Sequence, residues 1–315
     1  MRCRIDNFTR ITAAVLGLIL LSGCTGPQTM ALLEARGALP VRAEIPDVPF
    51  FPQKRYYCGP AAIATALAWT GLAVTADDMV PQVYTPGKKG THANDIVTAA
   101  RRNGRLAVRL DGLRAVLGEI AAGHPVLVFQ NLSLDIFPQW HFAVAVGYDL
   151  ERRALFLRSG REKRLVTPLD TFEHTWARGG HWAVVVLPPT MPPATAAEGP
   201  VLQAAAGLER AGQQRAAAAA YQVIAERWPH SLPALIGFGN ARYATGDLDE
   251  AERVFRLATQ RHPGAGAAWN NLAHVLGRNG RWREAIAAAR HAVGLAGNDS
   301  GPFVETLNEL QALSN

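Results

Sequence analysis

The sequence predicts an α+β domain followed by an all-α repeat domain, and three observations carry that expectation. Between Asp47 and Leu187, helical patterns come first and strand patterns follow. Pro188-Pro189-Thr190-Met191-Pro192-Pro193 then places four prolines in six residues, which neither a helix nor a strand continues through. Beyond Gly199 the composition turns Ala-rich and residues recur at a fixed step. With 315 residues, 49% of them hydrophobic, the chain has material for about two domains and a sizeable core.

The N-terminus reads as a targeting segment and is set aside from the fold. Arg2, Arg4 and Arg10 precede a short apolar run, Ile11 to Leu21. That run is too short for a stable spanning helix and fits the apolar region of a signal peptide over residues 1–23. Leu21-Ser22-Gly23-Cys24 resembles a bacterial lipobox, which implies that Cys24 is lipidated and anchors the protein to a membrane without a spanning helix. By resemblance to Gram-negative lipoprotein sorting, Thr25 rather than Asp after that cysteine points to the outer membrane, facing the periplasm. Residues 24–46 read as a tether, with a short helix around Ala31 to Arg36.

In the first domain, residues 47–187, a buried helix runs from Gly59 to Trp69 with Pro60 in its first turn, where the missing N–H costs nothing. A short helix covers Ala76 to Val80. Thr91 is placed to cap a helix ending at Arg102, stopped by Asn103-Gly104, and Leu113 to Ala122 forms another, ended by Gly123. Strand patterns follow at Pro125–Gln130, His141–Tyr148, Arg153–Arg158, Lys163–Thr167 and His181–Leu187, with a hairpin turning about Asp149 to Arg152.

Residues 188–199 read as a semi-rigid linker, and residues 200–315 carry a repeat. Gly212, Gly246 and Gly280 are 34 residues apart, as are Ala217, Ala251 and Ala285. Pro229 and Pro263 keep that step, and so do Leu235 with Trp269 and Ala258 with Ala292. A 34-residue helix-turn-helix period is the tetratricopeptide signature, with Pro302 to Leu313 as a capping helix. Such arrays offer a concave surface to a protein partner and bring no chemistry of their own.

The chemistry gathers at Tyr57-Cys58-Gly59-Pro60-Ala61. Of three cysteines, Cys3 leaves with the signal and Cys24 is acylated, so Cys58 remains as a thiol without a disulfide partner. Cys58 opens a helix, where the dipole favours a thiolate. His141, on a strand much later, supplies a general base, and Gln53 an amide donor for a developing oxyanion.

The block Phe50 to Ala62, containing Gln53 and Cys58-Gly59-Pro60, resembles the bacteriocin-processing (double-glycine leader) peptidase family. It is more similar to that family's stand-alone C39-like branch, which lacks a transporter. The likeness continues in Gly90-Thr91, in Gly123 to Val128 and in His141 to Tyr148. It implies a papain-like cysteine peptidase fold with Cys58 as nucleophile, His141 as base and Gln53 in the oxyanion hole. The family places Asp or Asn on the strand after the histidine to hold the imidazole. Counting back across the hairpin puts Ser159 there instead. A Ser hydroxyl accepts the imidazole N–H but brings no charge. Asn131 and Asp135 are alternative orienters.

Other features receive structural readings. His181 is the one further histidine placed to reach the cleft, Trp140 shields the cleft, lines a substrate subsite or packs in the core, and Tyr56 and Tyr57 border the cleft. No paired cysteine spacing, His-Glu-x-x-His or Gly-rich phosphate loop is present, so neither metal nor cofactor is expected. The net charge is +6, and +4 without residues 1–23. No groove-reading helix or aromatic-basic sheet motif accompanies that charge, which excludes a nucleic-acid partner. The expected function is a membrane-anchored cysteine peptidase whose repeats recruit a substrate or partner protein. Two alternatives stand beside it: a weak or inactive peptidase-fold scaffold, and an envelope acyl-transfer enzyme such as a peptidoglycan amidase or transpeptidase.

Overall fold

The computed structural model describes residues 26–296 and 301–314. The signal segment, Cys3 and Cys24 lie outside the described residues.

The segment expected as a tether is folded. Helix α1 (Pro27–Glu34) buries Thr29 and Leu32, and strand β1 (Arg42–Glu44) pairs antiparallel with Gly147 to Asp149. The first amides of a helix have no internal acceptors. Here two carboxylates, distant in sequence and carried by helix α6 (Leu169–Arg178), supply them. Gly26 N–H donates to Asp170 Oδ1 (3.1 Å), Gln28 N–H to Glu173 Oε1 (2.8 Å) and Thr29 N–H to Glu173 Oε2 (2.7 Å). Their charge also faces the positive end of the helix dipole. No local pattern around residue 30 announces such a partner, so the helix begins four residues earlier than expected.

Helices α2 (Cys58–Trp69), α3 (Ala76–Val83), α4 (Ala93–Arg102) and α5 (Gly112–Ala121) lie where the sequence places helices. Strands β3 (Val126–Asn131), β4 (Trp140–Asp149), β5 (Ala154–Ser159), β6 (Glu162–Pro168) and β7 (Ala183–Leu187) lie where the sequence places strands. Strand β2 (Leu106–Arg109) and helix α6 were not foreseen. Among the described residues seven strands form one sheet in the order β2-β7-β3-β4-β5-β6, with β1 also on β4. Pairs β3/β4, β4/β5 and β5/β6 are antiparallel. Strand β4 sits among them as a continuous buried run, Phe142 to Asp149.

Compact packing divides the chain into two units. Among the described residues, one holds residues 26–93 with Leu110–Val184. The other holds Asn94–Arg109 and the described residues from Val185 onward. Within the second, the repeat region consists of α7 (Glu198–Arg210), α8 (Gln214–Arg227), α9 (Leu232–Ala244), α10 (Leu248–Arg261), α11 (Gly266–Arg278), α12 (Trp282–Ala296) and α13 (Gly301–Leu313). Helix α7 packs on β2, and Gln213 Nε2 donates to the Arg102 carbonyl (3.0 Å). Arg227 donates to the Pro193 and Ala194 carbonyls and so pins the Pro-rich stretch to α8. The glycines at the 34-residue step, Gly212, Gly246 and Gly280, have φ of +75°, +81° and +72°. Each lies just past a helix end, where a side chain would be strained. Small residues on facing helices, among them Ala217, Ala251, Ala285 and Ala289, are buried and allow close approach.

Glu173→Ala removes both acceptors at the head of α1. It is expected to lower stability by about 1–3 kcal/mol in urea unfolding, with faster amide exchange confined first to residues 27–34.

Candidate active site

Cys58 is the first residue of α2, a helix so apolar that Ile63, Ala64, Ala66 and Leu67 are wholly buried. Burying that helix in the domain fixes the position of its head. Gly59 must be glycine, because a Cβ there would sit 2.2 Å from Thr91 Oγ1. Thr91 was expected to cap α4. Its Oγ1 is instead buried without a hydrogen-bond partner, held against Gly59 by packing. The thiol is partly buried, and burial pushes it above the ordinary cysteine value. Backbone N–H groups of Phe142, Gly59 and Cys58 itself oppose that shift without cancelling it. The contact with Phe142 puts the sulfur against β4, one residue from His141.

His141 pairs with Gln130 across β3/β4. Its Nε2 lies 2.8 Å from Ser159 Oγ, at the end of β5. The hairpin count therefore brings these two residues together, although bulges interrupt β4/β5 near Ala145 and β5/β6 near Ser159. No charge accompanies the Ser159 hydroxyl, which is itself 7% exposed. Burial then lowers the imidazole to about 4. With the thiol raised and the imidazole lowered, both groups that line this cavity favour their neutral forms.

Gln53 reaches the same place from the other side. Its backbone N–H donates to the Gly160 carbonyl (2.9 Å), tying it to the β5–β6 turn. Its side-chain Nε2 makes a long contact, 3.4 Å, with the Phe142 carbonyl. Gln53, Cys58 and His141 line one cavity of about 830 Å³. Trp140 and Tyr56 line it as well, while Tyr57 turns away to an edge contact with Tyr84, ring centres 5.0 Å apart.

The remaining candidates lie elsewhere. Asn131 is committed to the β3–β4 loop. Its Oδ1 accepts from the Ser133 and Gln139 amides, and its Nδ2 donates to Asp135 Oδ1 (3.2 Å). Neither Asn131 nor Asp135 orients His141. His181 packs edge-on against Trp176 at 4.8 Å, outside the cavity lining. Sequence reasoning missed the stack of Trp140 on Phe129 (5.2 Å, 13°) and the cavity-lining pair Lys88 and Lys89. Trp140 and Phe129 come from paired strands, a signal recoverable only once the β3/β4 register is known. Among the described residues no group of three His, Cys, Asp or Glu could hold a metal, and no helix is long and apolar enough to cross a membrane.

The lowered imidazole has a consequence for stability. The unfolded ring takes its proton near 6.5 and the folded ring near 4. Between those values acid favours the unfolded chain, so the contribution is complete above pH 6.5 and lost as pH falls toward 4. The loss is at most roughly 3 kcal/mol. Urea unfolding at stepped pH measures it, and His141→Phe is expected to flatten the slope across that window.

Comparison with known proteins agrees with this architecture. Residues 45–184 match the Peptidase_C39 like family, and residues 232–275 match the tetratricopeptide repeat. No curated protein matches the chain. Among solved structures it is similar to a C39-like peptidase from Bacillus anthracis (18% identity, 46% of this chain and 97% of that one, TM-score 0.41). It is also similar to the type III secretion translocator chaperone SycD of Yersinia enterocolitica (18% identity, 36% and 89%, TM-score 0.34). A third likeness is to the Sgt2 tetratricopeptide domain of Aspergillus fumigatus (18% identity, 36% and 77%, TM-score 0.35). The chain thus joins a peptidase C39-like α+β domain to a helical region of tetratricopeptide repeats.

Proposed function

We propose that the protein is a cysteine peptidase in which His141 activates Cys58 during attack rather than beforehand. One observation carries this reading: Cys58, His141 and Gln53 line a single cavity, with the imidazole Nε2 held by Ser159 at 2.8 Å. An Nε2–H donated to Ser159 Oγ leaves Nδ1 as the basic nitrogen. The Cys58 sulfur bonds to the peptide carbonyl carbon as its proton passes to His141 Nδ1. The carbonyl oxygen gathers negative charge, which the Gln53 amide and the Cys58 N–H stabilise. The Nδ1 proton then goes to the departing amine, leaving a thioester on Cys58. Water attacks that thioester, its proton moves to Nδ1, and the sulfur regains a proton as the acid product leaves.

The repeats supply a surface for recruiting a substrate or partner protein, as arrays of stacked helix pairs do. Lipidation of Cys24 places the protein at the bacterial envelope, on the outer membrane facing the periplasm. The lipobox-like sequence and Thr25 support that placement. Because Asp170 and Glu173 hold residues 26–29, such an anchor would keep the peptidase domain close to the bilayer.

A second reading has its own observation. A raised thiol, a lowered imidazole and an uncharged orienter describe a weak dyad, as expected of a peptidase-fold scaffold whose repeats do the binding. Incubation of a proteome-derived peptide library with the full chain, read by mass spectrometry for new termini, separates the two. The peptidase reading expects new termini from the wild type, none from Cys58→Ala, and at least about 100-fold fewer from His141→Ala. Identical libraries from wild type and Cys58→Ala would leave the scaffold.

A further inference from the structure

We infer that the cavity around Cys58 selects acidic peptides carrying a large apolar side chain beside their carboxylates. This inference rests on the peptidase reading and names its substrate class. Lys54, Arg55, Lys88 and Lys89 all line the cavity, and among the described residues no Asp or Glu does. Lys54 is already answered by Asp77, with Nζ 2.9 Å from Oδ1. Arg55 lies over the Tyr56 ring at 5.0 Å, which fixes its guanidinium without neutralising it. Lys88 and Lys89 remain, adjacent on one short loop.

That loop is braced. Thr85 N–H donates to the Gly90 carbonyl at 2.8 Å, Lys88 N–H to Thr85 at 3.1 Å and Lys89 N–H to Pro86 at 3.0 Å. Lys89 adopts a left-handed φ of 49° to complete the turn. A backbone tied at these points holds two cations on the same side of a cleft, where like charges raise each other's energy. A carboxylate entering the cleft relieves that repulsion, and a basic segment worsens it. Both lysines are exposed at the cavity rim, so the two effects are screened by salt.

The aromatic part of the wall selects the neighbour. Trp140 is 51% exposed, yet its ring is held flat against Phe129, centres 5.2 Å apart. Pro138 lines the cavity beside it. A rigid, half-exposed aromatic plane next to His141 offers an apolar platform at low entropic cost. Cations on the loop and an aromatic plane on the strand together fit an acidic, aromatic-containing segment better than a basic or wholly polar one.

The first test reads the charge of the cleft at the sulfur and needs no peptide. Iodoacetate is anionic and iodoacetamide neutral, so their relative rates at Cys58, located by peptide mapping on the full chain, report the local potential. Relative to glutathione, the iodoacetate-to-iodoacetamide ratio is expected to be raised about 5-fold at low salt and to collapse in 0.5 M salt. Lys88→Glu with Lys89→Glu is expected to bring the ratio below that of glutathione. The second test is binding: on Cys58→Ala, a fluorescent peptide with two Glu beside a Phe should bind at least about 10-fold tighter than its Gln counterpart, and a Lys counterpart weakest. Equal ratios to glutathione, unmoved by charge reversal, together with equal binding of the three peptides, would overturn the inference. Because neither readout involves cleavage, a charged cleft that binds but does not cut would instead count against the peptidase reading alone.

Discussion

Everything at this site depends on how one imidazole is held. His141 projects from β4, and without an acceptor at Nε2 its ring could turn either nitrogen toward the thiol. Ser159 Oγ holds Nε2 at 2.8 Å from the end of the neighbouring strand. The hairpin between β4 and β5 is therefore the structural element that sets the chemistry. The turn that follows β5 also receives the Gln53 amide through the Gly160 carbonyl. One end of one hairpin thus positions both His141 and Gln53, and α2 delivers the Cys58 sulfur to the same cavity.

An uncharged orienter has an energetic consequence. A carboxylate beside the ring would stabilise the imidazolium and draw the proton from the thiol before substrate arrives. A hydroxyl, which can donate or accept, fixes the orientation of the ring but does little for the charged form. Burial then acts unopposed, lowering the imidazole to about 4 and raising the thiol. Both groups favour their neutral forms, and on the proposed mechanism charge separation waits for the attack, when the developing oxyanion balances the imidazolium. Such a thiol is also less exposed to adventitious oxidation, which needs the thiolate.

The parts of the site visible in the sequence are those set by local rules. A helix start after Tyr57, an apolar strand run after His141 and a hairpin count to Ser159 each follow from residues near one another in the chain. What stayed hidden is set by distant partners. Glu173 and Asp170 cap a helix about 140 residues away, and nothing near Pro27 signals it. Thr91 looked like a cap because of its position before α4, but packing against Gly59 decided its role. Asn131 and Asp135 were chemically plausible orienters, and a loop needing its own amides satisfied claimed them first. The 34-residue step was legible throughout, since a left-handed turn residue is demanded at each recurrence.

The most direct measurement is the rate of Cys58 alkylation by iodoacetamide at pH 7 in the wild type and in Ser159→Asp, with folding checked by circular dichroism. A carboxylate in place of the hydroxyl should stabilise the imidazolium and raise the thiolate fraction, so the rate should rise by about 10-fold or more, and adding His141→Ala should abolish the rise. A folded Ser159→Asp chain whose thiol reacts no faster than the wild type would contradict the account, because the sulfur and the ring held by residue 159 would then not be coupled.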